Sequence, residues 1–312
     1  MLAARRAAAR TAFAVSCDVP SSSLPLSSLA PALTPAPALT PTLRPSLLPG
    51  DVDVPALRRF LAVQAARLPG PWLWLGLTGA HAYGFPSPDS DLDLKAVHTV
   101  GAERVLGTAG EPAPVELTVD DWEGREMDLS SHELGQCAAL LLKGNGNMLE
   151  RLLGPLPVVT TPLGARLCAW AAANLSARSV HHYRGFLGAM LREHAVDVRD
   201  RGGPRAKRLL YMYRAALTGV HLLRAGVLEC DVRVLAPRYG FGDIVASLLA
   251  SKITGELAVL PNDLVGPVIT VDVPRLHRLL DKAEAETILP PSPKDVHGLD
   301  DLFVAARLLA GP

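Results

Sequence analysis

Hydrophobic and polar positions follow two successive patterns along the chain after residue 50. The first part contains short apolar runs bounded by turn residues, and residues 91–100 begin with the alternation of polar and apolar positions that a strand requires. The later part repeats apolar residues at the three- and four-residue spacing of helices. The segments predicted as strands are residues 72–78, 91–100, 115–119 and 125–130. The chain is therefore predicted to be an α+β protein.

Helices are predicted from this spacing and from two signals at helix starts. Asp53 followed by Pro55 is a cap with proline in the first turn. Ser130 with Glu133 forms the S-x-x-E pattern of a capping box, which opens a helix through residue 142. Further helices are predicted at residues 148–153, 163–174, 177–194, 204–225, 242–249, 274–287 and 299–309. A strand-bearing domain, residues 51–155, thus precedes an all-helical domain, residues 156–312.

Residues 1–50 differ from the rest of the chain in composition. They contain eight prolines, from Pro20 to Pro49, and many Ser, Thr and Ala residues. Recurring proline interrupts helices and strand ladders, and the few large apolar side chains do not offset the entropy of ordering the backbone. This Pro/Ala/Ser-rich tail is predicted to be disordered. Its Arg- and Ala-rich first fifteen residues resemble a transit peptide, a bacterial leader or an over-extended start equally well.

Composition and charge restrict the class of protein. The 312 residues are 49% hydrophobic, and 31 basic residues balance 31 acidic ones. A net charge of zero excludes binding to nucleic acid or anionic membrane by bulk electrostatics, so a polyanion has to be bound by a local basic face. The sequence has no apolar run of about 18 residues, so it predicts no membrane span. The four cysteines form no C-x-x-C pair, which favours neither a zinc site nor disulfides and predicts a cytoplasmic protein.

Two carboxylates in a predicted strand form the most informative chemical pattern. Asp91 and Asp93 are two residues apart, so both side chains lie on the same face of the strand. Like charges at this spacing repel, and hard oxygen ligands suit Mg²⁺ shared with a triphosphate. Gly79 and Ala80 form a turn shortly before, where small residues let backbone N–H groups approach phosphate oxygens. The alternative is a solvated strand face on which such a pair occurs by chance.

This pattern resembles the motif of the polymerase-beta nucleotidyltransferase superfamily, in which an apolar residue, Gly and Ser or Gly precede a loop and Asp-x-Asp/Glu. The segments GAHAYGFPSPDSDLDLK, MDLSSHEL and LLKGNGNMLE follow the order found in the predicted nucleotidyltransferases of the RNA repair pathway. The likeness spans roughly residues 70–290. The resemblance implies that residues 51–155 form a small mixed-sheet catalytic domain and that residues 156–312 form a helical domain that closes over the nucleotide.

The resemblance also implies a reaction, in which NMP is transferred from an NTP to a hydroxyl acceptor, with RNA favoured, and pyrophosphate is released. Two Mg²⁺ (or Mn²⁺) ions would be held by Asp91, Asp93 and a third acid on a neighbouring strand. Asp128, set between two apolar residues, is the preferred third acid, and Glu126 is the competitor. The predicted catalytic and metal-binding residues are therefore Asp91, Asp93 and Asp128.

Residues for nucleotide binding follow from the same resemblance. The candidates are Gly79, Ala80, Ser90, Lys95 and Lys207. The family usually has Ser at the position of Ala80, which keeps only the backbone N–H, and Thr78, Ser87 and Ser90 are nearby hydroxyls that can replace it. Lys95 continues the period of two after the aspartates and either meets the triphosphate or forms an ion pair with an acid.

Other polar residues have a structural alternative beside the functional one. Lys207, Tyr211 and Arg214 share one face of a predicted helix, which either binds triphosphate or an RNA end or is a solvated basic surface. The side chains of residues 143–150 are predicted to cap the next helix rather than to contact substrate. His81 and Tyr83 are predicted to pack the phosphate loop rather than to stack on a base.

Two other functions stay open at this point. The same chemistry on a protein or a small-molecule acceptor is not distinguished from RNA modification by the sequence. Ala80 instead suggests a catalytically silent nucleotide-binding or antitoxin-like module, which keeps the fold without turnover.

Overall fold

The computed structural model describes residues 42–44, 48–88, 90–106, 108, 110, 112–154, 156–253 and 259–311. The predicted disorder of residues 1–41 lies outside the described residues. The end of the tail differs from the prediction, because Thr42–Leu43 form strand β1, which pairs with residues 159 and 160. Backbone pairing with residues 159 and 160 thus orders part of the proline-rich tail.

A six-stranded mixed sheet forms the first part of the fold. The strands after β1 are β2 (Trp72–Leu77), β3 (Leu92–His98), β4 (Val115–Trp122), β5 (Arg125–Glu133) and β6 (Pro157–Thr160). Their spatial order is β1-β6-β2-β3-β5-β4. β3 and β5 run parallel, and the other neighbours run antiparallel. The α+β prediction is confirmed, although β4 and β5 are longer than predicted and β6 was not predicted.

The two faces of the sheet differ in chemistry around β3. Leu92 and Leu94 are buried in one apolar cluster with helix α1 (Val54–Ala65). Because side chains alternate along a strand, Asp93 and Lys95 project from the opposite face. The face opposite α1 is therefore the one that carries the candidate site.

Helices cover this face and make up most of the chain after β6. Those after α1 are α2 (Gly79–Tyr83), α3 (Ala102–Leu106), α4 (Leu134–Leu142), α5 (Gly146–Leu153), α6 (Pro162–Ala173), α7 (Ser179–Asp200), α8 (Ala206–Ala225), α9 (Val232–Arg238), α10 (Gly242–Ile253), α11 (Asn262–Pro267), α12 (Val273–Ala285) and α13 (Val296–Leu309). A π-helical turn, Val268–Asp272, joins α11 to α12. α8 is central, since it packs against α7, α9, α10 and α12. The predicted domain division at residue 155 stays a prediction.

The predicted capping box is wrong, whereas the predicted start of α1 at Asp53 is confirmed. Ser130 lies within β5, because β5 pairs with β3 as far as Glu133. Glu133 is itself the N-cap of α4. Its carboxylate accepts the N–H of Gly135 at 2.6 Å, and the side-chain oxygen of Gln136 accepts the N–H of Glu133 at 3.3 Å. Strand pairing thus shifts the helix start by three residues.

A buried ion pair connects the last helix to the sheet. Arg307 of α13 donates from both terminal nitrogens to the carboxylate of Glu133, with 2.8 Å between Nη2 and Oε2. Arg307 Nη1 also donates to the carbonyl oxygen of Val100 at 3.1 Å. The two side chains expose 4% and 0% of their surface. Each charge therefore depends on the other for its compensation.

Two general predictions concern the membrane and the cysteines. No helix of the described part of the chain combines the length and the apolar character that a bilayer span requires. Cys137, Cys168 and Cys230 are free thiols, and burial raises the pKa of each to about 12. Such thiols are poor nucleophiles at neutral pH. The cytoplasmic location stays a prediction.

The buried His98 predicts a loss of stability in acid. Burial lowers its pKa from 6.5 to about 4, and its Nδ1 lies 2.8 Å from the Ser131 hydroxyl. Between pH 6.5 and about 4, the imidazole of His98 is protonated in the unfolded chain and neutral in the folded chain. The free energy of unfolding therefore falls as the pH drops through this range. We expect a loss of about 2 kcal/mol from His98 between pH 7 and 4.5, measured by urea unfolding. His98→Gln should lessen this loss and His297→Gln, at an exposed position, should not; equal losses in all three proteins would contradict the assignment.

Candidate functional site

Asp93 and Asp128 lie side by side on the parallel strands β3 and β5. They are direct partners in the strand register, so both side chains project from the same face of the sheet. Thr118, opposite Asp128 on β4, donates its hydroxyl to Asp128 Oδ1 at 2.6 Å. Asp91 immediately precedes β3. The structure thus brings the three predicted carboxylates to one end of the β3–β5 pair.

Negative charge is concentrated at this end of the strands, as the exposed Glu126 shows. The charge of Asp91 is the largest cause that raises the pKa of Glu126. Slight burial and the charges of Asp128, Asp120 and Asp93 raise this pKa further. A bound cation would relieve such repulsion. Of the two candidates for the third acid, Asp128 is the one in register with Asp93. Its role as a metal ligand stays a prediction.

Gly79 is required by the position of the Asp93 side chain. Its φ is +63°, and a Cβ at this position would lie 1.9 Å from Asp93 Oδ2. Thr78 contacts the same residue, because its N–H and its hydroxyl donate to the carbonyl oxygen of Asp93 at 2.8 and 3.2 Å. The glycine of the motif therefore makes room for a carboxylate, and its contact with phosphate stays a prediction.

Ala80 and Ser90 have surroundings that the motif does not reveal. Ala80 is buried in the larger apolar cluster. The Ser90 hydroxyl accepts the N–H of Ser87 at 2.8 Å and lies 3.0 Å from the Ser87 hydroxyl. The Ser87 hydroxyl also accepts from Lys252 Nζ of α10 at 2.9 Å. These bonds hold the loop before β3 against α10, and nucleotide binding by Ala80 and Ser90 stays a prediction.

A cavity of about 220 Å³ opens beside Asp93. Lys95 lines this cavity, and its Nζ lies 3.6 Å from Asp93 Oδ1. Of the two roles considered for Lys95, contact with triphosphate or an ion pair with an acid, the structure shows the ion pair. The other lining residues are Thr78, Gly79, Tyr83, Asn147, Glu150, Arg151, Phe186, Tyr211 and Arg214. Because they come from the sheet and from α2, α5, α7 and α8, a ligand at Asp93 would contact both parts of the fold.

Sequence reasoning missed a buried ion pair in the wall of this cavity. Arg214 Nη1 donates to Glu150 Oε1 at 2.6 Å, and the Tyr83 hydroxyl donates to Glu150 Oε2 at 2.9 Å. The Arg214 guanidinium lies 4.0 Å from the centre of the Tyr83 ring. Arg214 and Glu150 expose 1% and 2% of their side chains, so the interpretation of Arg214 as part of a solvated face is wrong. The spacing of α8 placed Arg214 with Tyr211, but it carried no signal for the partner on α5.

The segment around the start of α5 has both a capping and a positioning role. Asn145 caps the helix as predicted, since its side-chain oxygen accepts the N–H of Met148 at 3.0 Å. The buried Arg151 donates to the carbonyl oxygen of Ala96 at 2.7 Å and lies 2.9 Å from His132 Nδ1. Burial, followed by the charge of Arg151, lowers the pKa of His132 to about 4. Arg151 thereby joins the two strands that carry the aspartates.

The donor set fits a hard divalent cation, although the side chains are not gathered around one point. Asp91, Asp93 and Asp128 offer carboxylate oxygens at one end of the β3–β5 pair, and Mg²⁺ prefers such ligands. Among the described residues, no three His, Cys, Asp or Glu side chains converge as ligands. Asp93 pairs with Lys95 and Asp128 with Thr118. These side chains would have to rotate to share an ion.

A second pocket, of about 530 Å³, lies between α7 and α8 and adjoins the first at Phe186 and Tyr211. Lys207 lines this second pocket and is not part of the lining of the cavity beside Asp93. The helix face of Lys207, Tyr211 and Arg214 therefore extends over two adjoining spaces. Nucleotide binding by Lys207 stays a prediction.

Comparison with known proteins agrees with the geometry of the sheet. A family model described as the RNA repair pathway DNA polymerase beta family matches residues 56–305, a range that contains all the predicted site residues. A comparison with curated proteins gives no match. The match covers most of the 312 residues and confirms the resemblance inferred from the three motifs. The chain belongs to the RNA repair pathway DNA polymerase beta family, a family of polymerase-beta-like nucleotidyltransferases.

Proposed function

We propose that this protein transfers a nucleoside monophosphate from an NTP to a hydroxyl of an RNA end and releases pyrophosphate. The observation that carries the proposal is the register of Asp93 beside Asp128, at a cavity lined by the sheet and by the helices. Phosphoryl transfer requires charge compensation and positioning at the reacting phosphate, and such a cavity offers both. RNA as the acceptor is supported by the family, with protein and small-molecule acceptors as the alternatives.

We also propose Mg²⁺ (or Mn²⁺) as the cofactor, with Asp91, Asp93 and Asp128 as the residues that would hold it. A divalent ion supplies charge neutralisation at the triphosphate and a lowered pKa of the attacking hydroxyl when it is bound. Lys95 would bind a phosphate oxygen once the Asp93 carboxylate turns away from it. The Asp93 carboxylate itself lies against Gly79, so the backbone at the start of α2, where the sequence predicted a turn, restricts the positions it can take.

The helical wall of the cavity would orient the nucleotide. Glu150 holds both Tyr83 and Arg214 by hydrogen bonds, so neither side chain is free to move independently. Because Arg214 and Glu150 are buried, this wall would shield one side of a bound nucleotide from water. Arg214 and Tyr83 are therefore proposed to position substrate, and the carboxylates to act at the reacting atoms.

Transfer of label tests this function. Each NTP, labelled at its α-phosphate, is incubated with Mg²⁺ or Mn²⁺ and a mixed RNA pool, and we expect label in RNA and free pyrophosphate. Asp91→Asn/Asp93→Asn should abolish both. Asp300→Asn/Asp301→Asn removes two exposed carboxylates of α13 and should leave both unchanged. Full activity of the first double variant would contradict the proposal.

Ala80 supports the silent module as a second candidate function. A module of this kind would bind NTP without cleaving it to pyrophosphate, whichever acceptor is supplied. Introducing the hydroxyl usual in the family, with Ala80→Ser, should then restore transfer. Turnover by the wild-type chain would exclude this candidate.

A further inference from the structure

The reaction proposed above takes place in the cavity beside Asp93 and leaves the pocket between α7 and α8 without an assigned ligand. Its volume of about 530 Å³ is more than twice that of the cavity beside Asp93. None of the sheet's aspartates is among its described lining residues, and the two spaces share only Phe186 and Tyr211. A nucleotide whose α-phosphate lies at Asp93 would therefore leave much of this pocket for another ligand.

Positive charge dominates the pocket. Its basic lining residues are Arg201, Arg205, Lys207 and Arg208. The only acidic residue of the described lining is Asp197, which accepts from Arg208 Nε at 3.0 Å and from Arg201 Nη1 at 3.1 Å. The same two arginines also approach Glu193, at 3.6 and 3.3 Å. Arg205 differs from these two arginines, because its Nη2 donates to the carbonyl oxygen of Arg201 at 2.7 Å and it has no acidic partner among the described residues. Its uncompensated charge makes the pocket suitable for a polyanion.

Aromatic side chains form the wall of the pocket that faces the cavity beside Asp93. The rings of Phe186 and Tyr211 are 6.2 Å apart between centroids and inclined by 28°. Met190 adds a further apolar side chain to the lining. Aromatic side chains beside cations are typical of surfaces that bind single-stranded nucleic acid, because bases stack on the rings while phosphates meet the cations. This combination favours RNA over an acidic peptide, which has no bases to stack.

We propose that the pocket between α7 and α8 binds the last nucleotides of single-stranded acceptor RNA. This inference rests on the proposed function. The terminal base lies against Phe186 and Tyr211, which brings the terminal hydroxyl towards the cavity of Asp93. The preceding phosphates lie against Arg201 and Arg205. A chain with zero net charge thus binds RNA through one local basic surface.

Salt-dependent RNA binding tests the proposal without turnover. The affinity for a labelled single-stranded RNA 12-mer is measured by fluorescence anisotropy over a series of salt concentrations, without NTP. Because each phosphate contact contributes about 0.7 to the slope of log K against log salt, Arg201→Gln/Arg205→Gln should lower the slope by about 1.4. Binding at 100 mM salt should weaken roughly tenfold. Affinity for NTP, measured by calorimetry, should change by less than about twofold.

Two variants control for general charge and for folding. Arg192→Gln/Arg199→Gln removes two exposed arginines of α7 outside the pocket lining and should keep the wild-type slope. Arg201→Lys/Arg205→Lys keeps both charges and should retain most of the slope. The proposal is overturned by equal losses in the Arg192/Arg199 variant, by unchanged RNA binding in the pocket variant, by a loss of NTP affinity instead, or by equal competition from a poly-glutamate peptide.

RNA binding and label transfer together distinguish a wrong RNA site from a wrong reaction. Unchanged RNA binding in the pocket variant, together with label transfer to RNA, would remove only the assignment of the pocket. If the pocket variant lowers the slope of log K against log salt but no NTP transfers label to RNA, the RNA site is supported and the proposed reaction is contradicted.

Discussion

Asp128→Asn is expected to lower the rate of NMP transfer by roughly 1000-fold or more. Asp128 is in register with Asp93, so the substitution removes one of three clustered charges where the triphosphate would react. The fold should persist, because the side-chain oxygen of Asn still accepts the hydroxyl of Thr118. Single-turnover rates with labelled NTP measure the effect. Urea unfolding should give a free energy within about 1 kcal/mol of the wild type.

Glu126→Gln is the matched control for this substitution. It removes a carboxylate from the same strand, two residues earlier, at an exposed position where the charge of Asp91 raises the pKa. We expect less than about a tenfold change in rate, since the register places Asp128 and not Glu126 beside Asp93. If Glu126→Gln were inactive and Asp128→Asn active, the third acid would be Glu126.

Arg307→Met is expected to lower the free energy of unfolding by about 3–5 kcal/mol. Methionine lacks the donors that hold the carboxylate of Glu133, and Glu133 exposes none of its side chain. The substitution therefore leaves an uncompensated charge at the point where β5 ends and α4 begins. Urea unfolding at pH 7 measures the loss.

Two further variants separate the buried charge from the packing of α13. Arg307→Met/Glu133→Gln removes both charges while the Gln oxygen still accepts the N–H of Gly135, and it should recover part of the loss. Arg199→Met breaks an exposed ion pair with Asp200 and should change stability by less than about 0.5 kcal/mol. A loss below about 1 kcal/mol for Arg307→Met would show that the pair does not fasten the last helix.

Local patterns in the sequence determined which faces of the elements are polar. The alternation of Leu92, Asp93 and Leu94 assigned the leucines to the core and the aspartates to the other face, as the cluster with α1 confirms. The start of α1 at Asp53 was also predictable, because the capping residue and the proline of the first turn are close neighbours in the sequence. Three short motifs in order predicted the family, which the match to residues 56–305 confirms. These features depend on neighbours along the chain.

The position of the third carboxylate was decided by the tertiary structure. β4 lies between β3 and β5 in the sequence, so their pairing is not a property of either strand alone. A shift of one residue in the register would turn the polar side chains to the other face. Asp128 beside Asp93, and Gly79 against the Asp93 carboxylate, follow only once the strands are in place.

The partners of buried charges were likewise decided by contacts between distant segments. Glu150 and Arg214 are 64 residues apart, and Glu133 and Arg307 are 174 residues apart. In the sequence Arg214 has the spacing of an ordinary basic helix face, and burial of its charge follows only when α5 brings the carboxylate to it. Local patterns record which face of an element a side chain prefers. The second wall of a cavity and the partner of a buried charge depend on packing between elements, which no short stretch of sequence encodes.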